Sequence, residues 1–280
     1  MAESLQALIA ASIGVLETAD ADEKAAAAAK VARAARAAGL LHDPLIRGEA
    51  PSPPKRPARP DRPELLPPRS VPKRSMGSEQ GRAALLHALA HIELNAIDLA
   101  FDMIARFAGT PTYLAMLGAE TVPAFIADWL NVGEDEARHF SLLHERLATY
   151  NTRYGDLPAH DGLWEAAEET AEDFLARLAV VPMVLEARGL DVTPGMAKRM
   201  EAAGDLKTAH ILAGIYADEI NHVRVGTHWF CLACTRQGLE PIETFHEVVG
   251  KKFRGRIKPP FNEAARSEAG LLPPFYKPLA

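Results

Sequence analysis

Two stretches of this chain set an acid and a histidine into an otherwise apolar helical stripe, and that pattern limits what it can fold into. Asp135-Glu136-Ala137-Arg138-His139 and Asp218-Glu219-Ile220-Asn221-His222 share the spacing Asp-Glu-x-x-His. Residues three apart lie on one helical face, so each Glu and His can converge on one point. One and two turns from Glu136 are Trp129, Val132, Phe140 and Leu143; the same positions around Glu219 are Leu212, Ile215, Val223 and Gly226. A carboxylate and an imidazole in a core stripe are costly unless something pairs with them.

Both motifs sit in long helical segments. Apolar residues recur at three and four, and alternating β-type runs are absent. The spacing predicts helix A near 78–107 and helix B near 121–150, with Thr121 as cap. Helix C is expected near 162–188, ended by Gly189, with a short helix beginning at Thr193-Pro194. Helix D is expected near 205–237, ended by Gly238, and a further helix near 241–253. Four such rods pack most simply as an antiparallel four-helix bundle. Helices A and C each offer one carboxylate on an apolar stripe. Glu93 lies with Leu86, Ala90, Ile97 and Ala100, and Glu186 lies with Ala179, Pro182 and Met183. Glu168, Glu169 and Glu172, also near helix C, fall in a more polar stretch and are expected in water.

Four clustered carboxylates would repel one another or bind protons. Two divalent cations would neutralise them, with the imidazoles completing the shells. Oxygen and imidazole donors suit Fe or Mn, as two Fe ions or a mixed Mn/Fe pair, better than Zn.

The motifs resemble a known group. Glu93, Glu136, His139, Glu186, Glu219 and His222 match the ligand pattern of the ferritin-like superfamily, and the resemblance implies a di-metal carboxylate centre. More narrowly the chain resembles the bacterial ferritin-like domain-of-unknown-function family 455. The phrases that carry this are His91-Ile92-Glu93-Leu94, Asp135 to Phe140, Pro158-Ala159-His160-Asp161-Gly162-Leu163-Trp164, Leu185 to Asp191 and Asp218 to Val223. The Glu-Ala-Arg string of helix C is also similar to one in the diiron tRNA hydroxylases. The resemblance implies an all-α, ferritin-like fold and a diiron oxidoreductase or oxygenase acting with dioxygen or peroxide on an unknown small substrate, with an unknown electron donor. Iron handling or peroxide detoxification without an organic substrate is the second reading, and a metal-free helical scaffold the third.

The rest of the chain reads as appendages. Residues 1–42 form an Ala-rich helical hairpin with Asp20 or Asp22 as cap of its second run. Residues 43–74 hold ten of the 21 prolines among Arg and Lys, which forbids helix and leaves a strap or linker. Solvation is the commoner fate of such a segment, and packing along the main body is the other. Residues 75–280 are expected to hold the bundle and a C-terminal tail. A net charge of −6 makes general polyanion binding unpersuasive. A tRNA contact would fall on the basic residues of 55–74, and a homo-oligomer stays open. No apolar run, Leu178 to Leu185 included, reaches the roughly 18 to 20 residues that span a bilayer, and Glu3 argues against a secretory signal. The expectation is a cytoplasmic protein without a membrane partner.

Further residues carry two readings each. Asp135 and Asp218 would orient ligand imidazoles from a second layer, or be surface charge. Tyr216 would stand near the metals, or be plain core. His160 would contact substrate from its loop, or anchor that loop. Pro182 would open helix C one turn before Glu186, or kink it for packing. His87, His91, His210 and His228 read as structural, and Cys231-x-x-Cys234 as two small buried residues without a Zn partner.

Overall fold

The computed structural model describes residues 4–39, 51–67, 70–71 and 76–280, and among them the protein is helical with no strand. It divides into two compact units, Met1–Trp164 and Glu165–Ala280.

The first unit is built on α3 (Glu79–Phe107) and α5 (Val122–Ala148). Ser78 caps α3 by accepting from Gly81 N at 3.1 Å. The two helices run antiparallel, with Arg82 beside Tyr150 at one end and Phe101 against Gly133 further along. A Cβ on Gly133 would lie 2.7 Å from Phe101 Cε2, so this glycine permits the close approach. Short α4 (Pro111–Leu117) lies between them in sequence. Thr121 stands at the N-cap position of α5 as expected, but its Oγ1 donates to Gly118 O at 3.0 Å and makes no bond to the α5 amides.

Helix α3 corrects one sequence expectation. It is long and apolar enough to cross a membrane by length and composition, yet 83% of its apolar window is buried within the fold. It is the core rod of the unit, apolar because it is enclosed.

The N-terminal hairpin covers that pair. Helix α1 (Leu5–Glu17) packs on α3, and α2 (Ala21–Ala37) packs on α5. Asp20 caps α2, accepting from Asp22 N and Glu23 N. Small Ala25, Ala28, Ala32 and Ala35 form its buried stripe.

The Pro-rich strap is tied to the first unit where it is described, with Pro57 and Pro63 buried and the rest half-buried or exposed; residues 43–50, 68–69 and 72–74 of it lie outside the described residues. Its backbone is tied down by Ala58 N to Leu16 O at 2.8 Å, Leu66 N to Ala159 O at 2.8 Å and Arg106 Nη2 to Pro54 O at 3.0 Å. Lys24 Nζ donates to Ala58 O at 2.9 Å and pairs with Asp98 of α3. Lys24 is 1% exposed and Asp98 0%. Burial lowers the Lys24 pKa and raises that of Asp98, outweighing their mutual attraction. Arg59 of the strap adds a second cation 3.4 Å from Asp98.

The second unit departs from the expected helix C. The segment breaks after α6 (Gly162–Glu169), and Asp173 caps α7 (Phe174–Val180), accepting from Ala176 N at 2.9 Å. Buried Arg177 bonds Thr170 Oγ1 and Ala167 O across the break. A π-helical turn follows at Val181–Glu186, continuous with α8 (Ala187–Ala202). Gly189 does not end the helix, and Pro194 lies inside α8 rather than opening a new one. Antiparallel to this segment runs α9 (Leu206–Arg236), ended as expected before Gly238 at φ +68°. The tail adds α10 (Pro241–Lys252), α11 (Glu263–Glu268) and α12 (Pro273–Tyr276).

Removing one partner of a buried ion pair strands the other, which costs about 3–5 kcal/mol. Lys24→Met is therefore expected to lower the urea midpoint strongly. Lys24→Met combined with Asp98→Leu is expected to recover most of the loss, as a double-mutant cycle would show.

Candidate metal centre

In the first unit α3 and α5 bring three of the candidate ligands together. Glu93, Glu136 and His139 are 4%, 1% and 0% exposed, and one ligand atom from each lies within 4.8 Å of the others. His139 Nδ1 is 3.2 Å from Glu136 Oε2 and 3.4 Å from Glu93 Oε2. The sequence stripe holds as read: Trp129, Val132, Phe140 and Leu143 on α5 and Leu86, Ala90, Ile97 and Ala100 on α3 are all buried. Gly133 lies one turn before Glu136, so the close helix approach described above also sets the spacing of the two acids.

The electrostatics are those of groups that hold protons in place of a cation. Burial, then the neighbouring Glu136 charge and a hydrogen bond with it, push the Glu93 pKa well above the carboxylate range. Burial alone would lower the His139 pKa, but hydrogen bonds and charge from Glu136 and Glu93 win and raise it to about 11. The donor set fits a divalent cation. Two oxygens on opposite sides of an ion bound at roughly 2.2 Å stand about 4.4 Å apart. A cation there would also displace the proton that burial favours on Glu93 and the one that the two acids favour on His139.

In the second unit Glu219 and His222 are buried one turn apart on α9, with His222 Nδ1 3.6 Å from Glu219 Oε1. Their neighbours Leu212, Ile215, Val223 and Gly226 are buried as expected. Glu186 is half-buried and closes the π turn; among the described residues it forms no three-residue ligand group with Glu219 and His222. Pro182, which has no N–H to continue the α pattern, sits in the first turn of the widened segment. Gly226 accommodates it, since a Cβ there would lie 2.3 Å from Pro182 Cβ.

The remaining candidates fall elsewhere. Half-buried Asp135 forms an ion pair with Arg138 at 2.7 Å. Asp218 is half-buried. Tyr216 accepts a hydrogen bond from Asn262 Nδ2 at 3.0 Å, so its hydroxyl is engaged with the C-terminal tail. His160 is a loop anchor, its Nδ1 accepting from Gly162 N at 3.3 Å and its carbonyl accepting from His91 Nε2 at 3.1 Å. His91 also accepts from Tyr154 Oη at 2.8 Å, and burial, helped by Arg59, lowers its pKa to about 3, leaving it neutral. His87 Nε2 accepts from Gly155 N at 2.9 Å, so both histidines hold the 149–161 loop. His210 and His228 are exposed, and so are Glu168, Glu169 and Glu172. Burial raises the pKa of both thiols, that of Cys234 to about 11. The ionic layer of Asp98 and Asp102 beyond Glu93 was not among the sequence candidates. Its signal was two acids four apart in an apolar helix.

A family described as "Protein of unknown function (DUF455)" matches residues 17–277, a span that includes all six candidate ligands. The chain belongs to this family. An uncharacterized protein of Haemophilus influenzae is 44% identical over 214 residues, covering 76% of this chain and 73% of that one. No solved structure matches the chain.

For this DUF455 protein kept free of metal, the raised pKa values give stability a definite pH dependence. Glu93 binds its proton more tightly when folded, so its favourable contribution is complete below about pH 4.5 and is lost as pH rises toward the raised folded value. Glu93→Gln mimics the protonated acid. Its stability is expected to match wild type near pH 5 and to exceed it increasingly toward pH 9, measured by urea denaturation. His139 has the same sign, its contribution falling as pH climbs toward about 11.

Proposed function

We propose that this DUF455 chain is a ferritin-like di-metal carboxylate protein, holding iron or manganese and working as an oxidoreductase on a small substrate. The observation that carries the reading is the convergence of buried Glu93, Glu136 and His139 within 4.8 Å. The repeated Asp-Glu-x-x-His of α9 and the acid at the end of the π turn support it from the sequence side, since they supply a second set of the same donor types. On this reading Glu219, His222 and Glu186 complete the centre, and the two helix pairs form a ferritin-like four-helix bundle.

A redox-active metal pair would supply reactivity toward dioxygen or peroxide that no side chain here possesses. The chain's own part is to bind, position and shield. Glu93 and Glu136 contribute negative charge that favours higher oxidation states, while His139 gives up its proton to become a neutral donor. Trp129, Phe140 and Leu143 exclude water and keep the local dielectric low. The π turn frees the backbone before Glu186 from the regular ladder, the setting in which a carboxylate can change its mode of contact. Free Cys231 and Cys234 fit a reducing compartment, so the cytoplasm is the proposed place of action.

Metal content decides the matter. Protein from metal-replete cells is expected to carry about two Fe or Mn ions per chain by elemental mass spectrometry, as in di-metal bundles. Glu136→Ala and His139→Ala are expected to lose most of that metal while keeping their helical circular dichroism. A wild-type chain without stoichiometric metal, or variants that bind as well as it does, would overturn the proposal. A hollow assembly loading far more iron would shift support to storage, and a metal-independent rise in melting temperature on Glu136→Ala to the scaffold.

A further inference from the structure

Within the second unit, a cavity of about 210 Å³ opens beside the π turn. Met183, Val184 and Leu185 of that turn, with Phe253 and Ile257, make its apolar wall. The other lining residues are Arg188, Arg256, Lys258 and Arg266, four cations and no acid. In a chain of net charge −6 such a concentration is local and specific.

Arg266 shows that the site is built. It is 3% exposed, its Nε and Nη2 donate to Asp191 at 2.8 and 2.7 Å, and Nη2 also reaches Ala187 O at 3.2 Å. The rings of Phe261 and Tyr276 lie 5.1 and 4.5 Å from its guanidinium carbon. Its Nη1 makes no hydrogen bond among the described residues, so a fixed, nearly buried guanidinium keeps one donor nitrogen for something else. Arg188 is positioned by its Nη1 bonds to Lys258 O at 2.8 Å and Pro260 O at 3.3 Å, which leave its Nε and Nη2 available. Asp191 is the carboxylate that both guanidiniums share. Arg256 and Lys258 are exposed and pair with no acid among the described residues.

We propose that this cavity binds a small organic anion, a carboxylate or a phosphate monoester with a short apolar body. The Nε and Nη2 of Arg188 form a fork that matches the paired oxygens of either head group, with Arg266 Nη1 as a further donor, and the apolar wall takes the body. The volume is below the roughly 300–1,000 Å³ of drug-sized pockets, which selects a small metabolite over a polymer. Arg266 and Arg188 hold the head group, with Arg256 and Lys258 adding charge around it. None of the lining residues is a proposed metal ligand, so this inference and the metal reading can fail separately.

Isothermal titration of the full chain with hexanoate, hexyl phosphate, hexan-1-ol and inorganic phosphate tests it. One of the two hexyl anions is expected to saturate a single site, and the tighter of them identifies the head group. Hexan-1-ol and inorganic phosphate are each expected to bind at least about tenfold more weakly, because one lacks the charge and the other the body. Added salt and the double change Arg256→Glu with Lys258→Glu are expected to weaken the anion by a similar factor. Both residues are exposed, and an unchanged melting temperature checks the fold; Lys258→Gln alone gives the same direction if the double variant does not fold. The proposal is overturned if neither hexyl anion binds at millimolar concentration. It is equally overturned if hexan-1-ol or inorganic phosphate matches the hexyl anions, or if the charge reversal leaves binding unchanged.

Discussion

A carboxylate buried on an apolar helix must find a positive partner or keep its proton, and on α3 this requirement organises the whole first unit. Glu93 meets His139 from α5, Asp98 meets Lys24 from α2 and Arg59 from the strap, and Asp102 meets Arg106. Arg106 then reaches on to Pro54 O. The hairpin and the strap are thus the means by which an interior acid is neutralised. Arg56 and Arg59 are drawn into the same scheme through Asp161. The three acids differ in what answers them. Asp98 and Asp102 have fixed cations, whereas Glu93 shares its space with a second acid and an imidazole, the combination that an added metal ion would neutralise.

The second unit applies the same rule to cations. Arg177 is buried where helix C breaks, and it satisfies the carbonyl and hydroxyl that the break leaves exposed. Arg266 is buried against Asp191 under two aromatic rings, which ties the C-terminal tail to α8. Between them lies the π turn, where Pro182 removes a helical donor and Gly226 provides the room. The irregular backbone therefore sits next to both the candidate ligand Glu186 and the cationic cavity. Single π turns inside α-helices are frequent at functional sites.

Much of this was legible in the residues. The capped start of α2 and the glycine stop of α9 follow from Asp20 and Gly238, because those signals act within a turn of the boundary they set. The apolar stripes around Glu93, Glu136 and Glu219 placed those acids in the core, since helical periodicity alone decides which positions share a face. Local spacing presents helix C as one rod, because its apolar repeat runs through the break. The capping by Asp173 and the capture of Ala167 O by Arg177 depend on groups that only folding assembles. The strap was legible as non-helical but not as packed, because its anchors Leu16, Lys24, Asp98 and Ala159 are far away in the chain. The pairing of Asp135 with Arg138 is local, whereas that of Tyr216 with Asn262 joins residues far apart in the chain and no spacing announces it.

What the sequence by itself determined is the helical character, the inward set of Glu and His residues and the family, all of which rest on local periodicity and short motifs. Tertiary structure alone decided which charges meet: Lys24 with Asp98, Glu93 with Glu136 and His139, Arg266 with Asp191. It also decided that the proline strap is an arm of the core and that a cationic cavity opens beside the π turn. The reason is that ion pairs and cavities join residues dozens of positions apart, and their energies depend on burial, a property of the folded chain that no local spacing encodes.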